Sequence, residues 1–384
     1  MQVPEPWWNK FAENDLPLRA RPDQDENLQH SRAALAMCEN IDWNVGRLMK
    51  KLDDLELSEN TIVIYFSDNG PNGYRWNEGM KGRKGSVEEG GVRSPFFIRW
   101  PGKIQSGTKI DTIAGSIDLK PTLTDLAGIK STGTLPMDGV SLKPLLLQSD
   151  EAWPDRLYVN HFKGKTSVRS QRFRLGFQGG LFDMLKDPGQ RVDVRKKHPE
   201  VYKDLLTAQN EFERTVVSEL PEGKDERPFV IGHPEFAFTQ LPARDAIATG
   251  DIKRSGNAPN CSFYMNWVNT DDTIYWDADV QVAGDYRAEV YYTCAEDDLG
   301  TVLELSAGNS SITKEVTVVN DPPWVGAKFD RAIRKGESYV KDFKPMDLGV
   351  IRLKEGQNKL TLSALEIPGK QSIEMRLVML NRIN

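Results

Sequence analysis

Cysteine and histidine are scarce: three and four residues in a chain of 384. Cys38, Cys261 and Cys294 share no short metal-ligand spacing, and an odd number cannot close a disulfide framework alone. Cys261 and Cys294 could pair in an oxidising compartment. The simpler expectation is three unpaired thiols, with Cys38 a small core residue inside a helical pattern. His30, His161, His198 and His233 are too dispersed for a metal site visible in sequence. No apolar run approaches the ~18 residues of a membrane-spanning helix. The opening "MQVPEPWWNKF" has neither the basic start nor the apolar run of a signal peptide. No basic block interrupts a balance of 50 Lys+Arg against 56 Asp+Glu, net charge −6, so a nucleic-acid footprint is not expected.

With 39% hydrophobic and 28% charged residues, the chain is long enough for a sizeable core and for two domains. Residues 31–56 place Leu35, Cys38, Ile41, Val45, Leu48, Met49 and Leu52 at spacings of three and four, an amphipathic helix. "TIVIYF" follows without polar alternation, the pattern of a strand covered on both faces in a parallel sheet. "SPFFIRWPGKI" predicts the next strand, and "SIDLKPTLTDLAGI" a short helix ending at Gly128. "LYVNHFKGKTSVRSQRFRLGF" alternates as antiparallel strands do, "GGLFDMLKDPGQ" ends in an Asp-Pro-Gly turn, and Pro199 opens a helix. Residues 1–218 therefore predict an α/β domain with a small α+β appendage, and 219–235 a linker. Residues 236–384, with short strands such as "TIYWDADV", "KEVTVV" and "NKLTLSAL" between turns, predict an all-β sandwich or jelly roll.

Chemistry concentrates in residues 67–95. Asp68 and Asn69 lie just past a strand, where ligands bind in α/β sheets, and both offer hard oxygen ligands suited to Ca²⁺ or Mg²⁺. Gly70 would let the backbone turn sharply beside an ion. Lys84, between Gly82 and Gly85, could carry a compact positive charge to a sulfate or phosphate oxygen. Glu88, Glu89 and Arg93, around Gly90-Gly91, could hold that loop by ion pairing. The competing reading is ordinary turn chemistry and mobile surface.

The stretches "SDNG", "GRKGSVEEGGVRSP", "WPGKI", "DLKPTLTDLAGI" and "DGVSLKPLL", then "VRSQRFRL" and "LFDMLKDPGQ", occur in an order that resembles the second half of the sulfatase family, the type I sulfatases of the alkaline-phosphatase superfamily. That resemblance implies an alkaline-phosphatase-like α/β fold with a mixed sheet covered by helices. It also implies that Asp68 and Asn69 are two of four protein ligands of an active-site Ca²⁺, and that Lys84 binds the sulfate of a sulfate ester. The family's Cys-x-Pro-Ser-Arg, whose Cys becomes the formylglycine nucleophile, and its N-terminal Asp-Asp pair do not occur in this sequence. The chain thus looks like the C-terminal part of a sulfatase, expected to be inactive alone. A periplasmic or secreted location would follow if a signal peptide stands upstream, as in many relatives.

The expected substrate class is an aryl sulfate or a sulfated carbohydrate, sulfated polysaccharides included. The alternatives are a catalytically silent glycan-binding protein, or a phosphatase or phosphonate hydrolase of the same superfamily. In the β domain, Trp267, Trp276, Trp324, Tyr275, Tyr291 and Tyr292 could stack on sugars or fill the core, with Trp324 in "NDPPWVGAKFDR" the first candidate for a sugar contact. His161 and His233 could approach an active site or be structural, and Asp271, Asp272, Asp277 and Asp279 could bind Ca²⁺ or be solvated strand ends.

Overall fold

The structure, a computed structural model, describes residues 1–18, 24–130, 133, 135–149, 152–221, 223, 227–258, 260–332 and 336–383. It divides into two compact units, Glu5–Glu222 and a second made of Met1–Pro4 with Gly223–Asn384. Of the expected linker, 222 and 224–226 lie outside the described residues, while Phe229–Ile231 is a strand of the second unit.

After a single helical turn at Glu5–Trp8, the first unit forms the long helix α1 (Leu28–Asp54), whose N-terminus is capped by the Asn27 side chain accepting from the His30 amide. The buried positions are Ser31, Ala33 and Ala36, not the stripe expected from spacing. Leu35, Ile41 and Leu48 are exposed, and so is Cys38, which is not a core residue. The apolar side chains are there, but small alanines mark the face that other residues cover.

Strand β1 (Val63–Phe66) pairs with β2 (Phe96–Arg99) in an antiparallel ribbon rather than a parallel sheet. Phe66, Phe96 and Phe97 remain exposed on it. Helix α2 (Leu119–Leu126) ends as expected, with Gly128 at φ +67°. The amides of Gly128 and Ile129 return to the carbonyls of Asp125 and Thr124, the bonding pattern of a left-handed helix stop.

A four-stranded antiparallel sheet follows: β3 (Tyr158–Phe162), β4 (Lys165–Arg169), β5 (Phe173–Leu175) and β6 (Leu181–Asp183). Helix α3 (Pro199–Thr215), with Pro199 in its first turn, supplies Leu205, Val201 and Tyr202 to a core with Val168, Phe173, Leu175 and Leu181. Burying each Leu or Val there contributes roughly 1.5–3 kcal/mol.

The second unit contains β7 (Phe229–Ile231), β8 (Phe238–Pro242), β9 (Ile247–Ala248), β10 (Lys253–Arg254), β11 (Tyr264–Met265), β12 (Thr273–Val280), β13 (Gly284–Thr293), β14 (Val302–Ala307), β15 (Ser310–Glu315), β16 (Lys344–Leu353), β17 (Gly356–Glu366) and β18 (Glu374–Ile383). One sheet runs β10-β11-β18-β13-β16 with β8 on β18; the other runs β15-β14-β17-β12-β7 with β9 on β12. All pairings are antiparallel except β7 with β12. Alternate residues of β12, Ile274, Trp276, Ala278 and Val280, enter a core shared with Tyr286, Ala288 and Val290 of the other sheet. Val3 is fully buried in this unit, its amide bonded to the Phe329 carbonyl at 3.0 Å.

Candidate functional site

Two loops of the first unit are joined through their backbones. The Gly70 amide donates to the Gly91 carbonyl at 2.8 Å, and the Lys84 amide to the Pro71 carbonyl at 3.0 Å. The segment carrying Asp68 and Asn69 is thereby fixed beside the segment carrying Lys84. Gly70 serves this approach differently from expectation. Its φ is not positive, and a Cβ there would lie 1.9 Å from the Gly90 carbonyl oxygen, so the glycine admits a neighbouring backbone. Gly91 is similar, with a Cβ 2.2 Å from the Ser86 carbonyl oxygen. Gly82 and Gly85, by contrast, hold φ of +90° and +84° on either side of Lys84, a conformation that favours glycine.

The Lys84 loop is gripped from below by charge. Glu88 and Glu89 begin the single helical turn Glu89–Val92 and are almost wholly buried. Glu89 Oε2 accepts from Arg174 at 2.8 Å and lies 3.6 Å from Arg169, while its Oε1 is 3.9 Å from Arg93. Arg174 also donates to the Val87 carbonyl and to Ser167, which itself donates to Val87. Gln190 spans both carboxylates: its Oε1 accepts from the Glu89 amide and its Nε2 donates to Glu88 Oε2 at 2.5 Å. The Asp-Pro-Gly turn places it there, with the Gln190 amide bonded to the Asp187 carbonyl. Burial lowers the pKa of Arg169, and the negative charge of Glu89 offsets part of that shift. The ion pairing expected of Glu88, Glu89 and Arg93 is present. Arg174, Gln190 and Ser167 were not foreseen, because they lie far along the chain and only the fold brings them to the loop.

At the loop surface, Asp68 and Lys84 are exposed and Asn69 is half-buried. Among the described residues their side chains make no hydrogen bond or ion pair, and no three His, Cys, Asp or Glu side chains are grouped to hold a metal. The Asp68 carboxylate and the Asn69 amide oxygen fit a share of a Ca²⁺ shell, which takes about six to eight oxygens. They cannot complete one.

Several other candidates have local hydrogen-bond partners or lie in a core. His161 Nδ1 is 3.0 Å from the Thr166 hydroxyl, and His233 Nδ1 accepts from the Glu235 amide. Asp272 is buried and accepts from the Asp251 amide. Trp267, Trp276 and Tyr292 are core residues, whereas Trp324 is 43% exposed. All three cysteines are free, and burial beside Asp298 and Asp321 pushes the Cys294 thiol up to about 11.

Fold and loops together define an α/β unit that sets a hard-oxygen pair beside an exposed lysine, followed by a two-sheet domain. Residues 2–129 match the Sulfatase family model, and residues 83–211 match that of the N-sulphoglucosamine sulphohydrolase C-terminal region. Over this region the chain belongs to the sulfatase family. It is 32% identical over 240 residues to human Arylsulfatase A, covering 50% of this chain and 47% of that one. It is 27% identical over 198 residues to the N-acetylgalactosamine-6-O-sulfatase of Bacteroides thetaiotaomicron, covering 43% and 39%. A solved structure in complex with its substrate D-glucosamine-2-N,6-O-disulfate aligns at 24% identity with a TM-score of 0.41, covering 53% and 45%. The chain spans less than half the length of each of these proteins. No described helix is long and apolar enough to cross a membrane.

Proposed function

We propose that the chain supplies the metal- and sulfate-binding side of a site that hydrolyses sulfate esters, with an aryl sulfate or a sulfated carbohydrate as substrate. The observation that carries this reading is the pair of backbone bonds, Gly70 to Gly91 and Lys84 to Pro71, that keeps Asp68 and Asn69 beside Lys84. Lys84 would place its ammonium on a sulfate oxygen, and the buried Glu89–Arg174 pair holds its loop in one arrangement before substrate arrives. Asp68 and Asn69 would hold Ca²⁺, which supplies positive charge against the sulfate group. The names of the arylsulfatase and N-acetylgalactosamine-6-O-sulfatase relatives support the substrate class.

Titrating the 384-residue chain with sulfate and with Ca²⁺ tests the reading. Lys84→Ala should weaken sulfate binding at least ten-fold, and Asp68→Ala should weaken Ca²⁺ binding. Equal sulfate affinity in the wild type and the Lys84 variant would overturn it. These residues contain no Cys-x-Pro-Ser-Arg, so the purified chain should show no aryl-sulfate turnover. Rates in the usual enzyme range of about 1–10³ s⁻¹ would contradict that expectation.

A second reading, a catalytically silent glycan-binding protein, is favoured by Trp324, which stays exposed while its ring is held by Phe263 and Tyr339 at centroid distances of 5.6 and 6.0 Å. Quenching of tryptophan fluorescence by oligosaccharides, abolished by Trp324→Ala, would support it.

A further inference from the structure

Beside the Lys84 loop, wholly within the first unit, lies a cleft of about 210 Å³, lined by Lys81, Glu88, Gly176, Gln178, Phe182 and Arg195, among others. That is room for roughly seven waters at about 30 Å³ each. Glu88 is only 3% exposed. Its Oε2 is bonded to Gln190, whereas its Oε1 accepts no hydrogen bond and has only the Lys81 ammonium, 3.5 Å away. A buried carboxylate oxygen without a donor carries a desolvation cost that a ligand hydroxyl would relieve.

The cleft exists because Gly176 and Gly180 line it. A Cβ on Gly176 would come within 3.2 Å of Glu88 Oε1, and one on Gly180 within 2.8 Å of the Phe182 ring. Charge in the lining is balanced. Lys81 faces Glu88 and lies over the Phe182 ring at 5.2 Å, and Arg195 pairs with Asp193 at 3.0 Å. A free anion would meet Glu88 and Asp193, and a free cation would compete with Lys81 and Arg195. A neutral polyol brings donors to Glu88 Oε1 and acceptors to Lys81 and Gln178 without adding charge.

We propose that this cleft binds a neutral hydroxyl-bearing sugar ring, with Glu88 Oε1 accepting from a ring hydroxyl. That the ring belongs to the sulfate-ester substrate rests on the reading above; the binding itself does not.

The test uses the 384-residue chain, isotopically labelled, with a panel of methyl glycosides of glucose, galactose and mannose followed by NMR. At least one glycoside should bind at millimolar concentration and shift the amides of Gly176, Gly180 and Phe182. Gln178→Trp, an exposed position, should block the cleft and weaken binding at least ten-fold, and Glu88→Gln should do the same with the melting temperature retained. If Glu88→Gln fails to fold, Gln178→Trp decides alone. Binding by no member of the panel, or binding that survives Gln178→Trp, would overturn the proposal. Sulfate affinity at Lys84 should be unchanged in Gln178→Trp, so failure of this site and failure of the sulfate reading give different results.

Discussion

Glu89 shows what a single residue contributes here. Its partner Arg174 is 85 positions away and both are nearly sealed from solvent, so removing one leaves an uncompensated buried charge. Glu89→Ala should cost about 3–5 kcal/mol, read as a fall in the denaturation midpoint of the first unit. A second buried carboxylate sets a pH dependence. Burial of Asp118 would raise its pKa, but hydrogen bonds from Arg156, Tyr158 and the amides of Val140 and Gly115 outweigh this and hold it below the usual carboxylate value. A depressed folded-state pKa stabilises above the unfolded value, near 4, and that stability is lost as pH falls through the folded value. Denaturation should therefore show the first unit weakening below about pH 4, with a flatter slope there in Asp118→Asn. Asp68, Asn69 and Lys84 were open to selection as candidates from the sequence because they sit in short contiguous motifs. Arg174 and Gln190 were not, since no local pattern marks a contact across 85 or 102 positions.

Among elements, the glycine-rich loop is the most sensitive. Gly70→Ala must push its Cβ against the Gly90 carbonyl, a backbone atom that cannot swing aside. The two loops should part, and the variant should lose sulfate affinity while keeping Lys84. Unchanged sulfate binding in Gly70→Ala would separate Lys84 from the Asp68 loop. Strand periodicity served well where one face is buried. "TIYWDADV" coincides with β12, because its alternate residues enter a core. It served less well for "KEVTVV": β15 covers Ser310–Glu315 and has no buried position, so nothing in its side chains marks its limits. Helix α1 was legible as a helix, but its covered face was not. Ala33 and Ala36 permit close approach, while larger side chains nearby stay in solvent. The "TIVIYF" strand is present, but its unbroken apolar run pointed to a parallel strand covered on both faces, whereas it pairs antiparallel and has no fully buried position.

For the whole molecule, the division into units does not follow chain order. Val3 is fully buried among residues of the C-terminal unit, and the Met1 carbonyl accepts from the Arg331 amide. Val3→Asp should therefore lower the melting temperature of the β unit although it is separated from it by more than 200 positions. Calorimetry of the intact chain checks this, and a change confined to the other unit would refute it. The same fastening makes the stretch Glu5–Glu222 a closed loop whenever the β unit is folded. An unfolded chain held at both ends explores fewer shapes than one with a free end, by on the order of 5 kcal/mol of entropy for a loop this long. The β sheets thus act on the stretch Glu5–Glu222 as a ring clasp acts on a cord: by holding its two ends, they limit how far it can come undone.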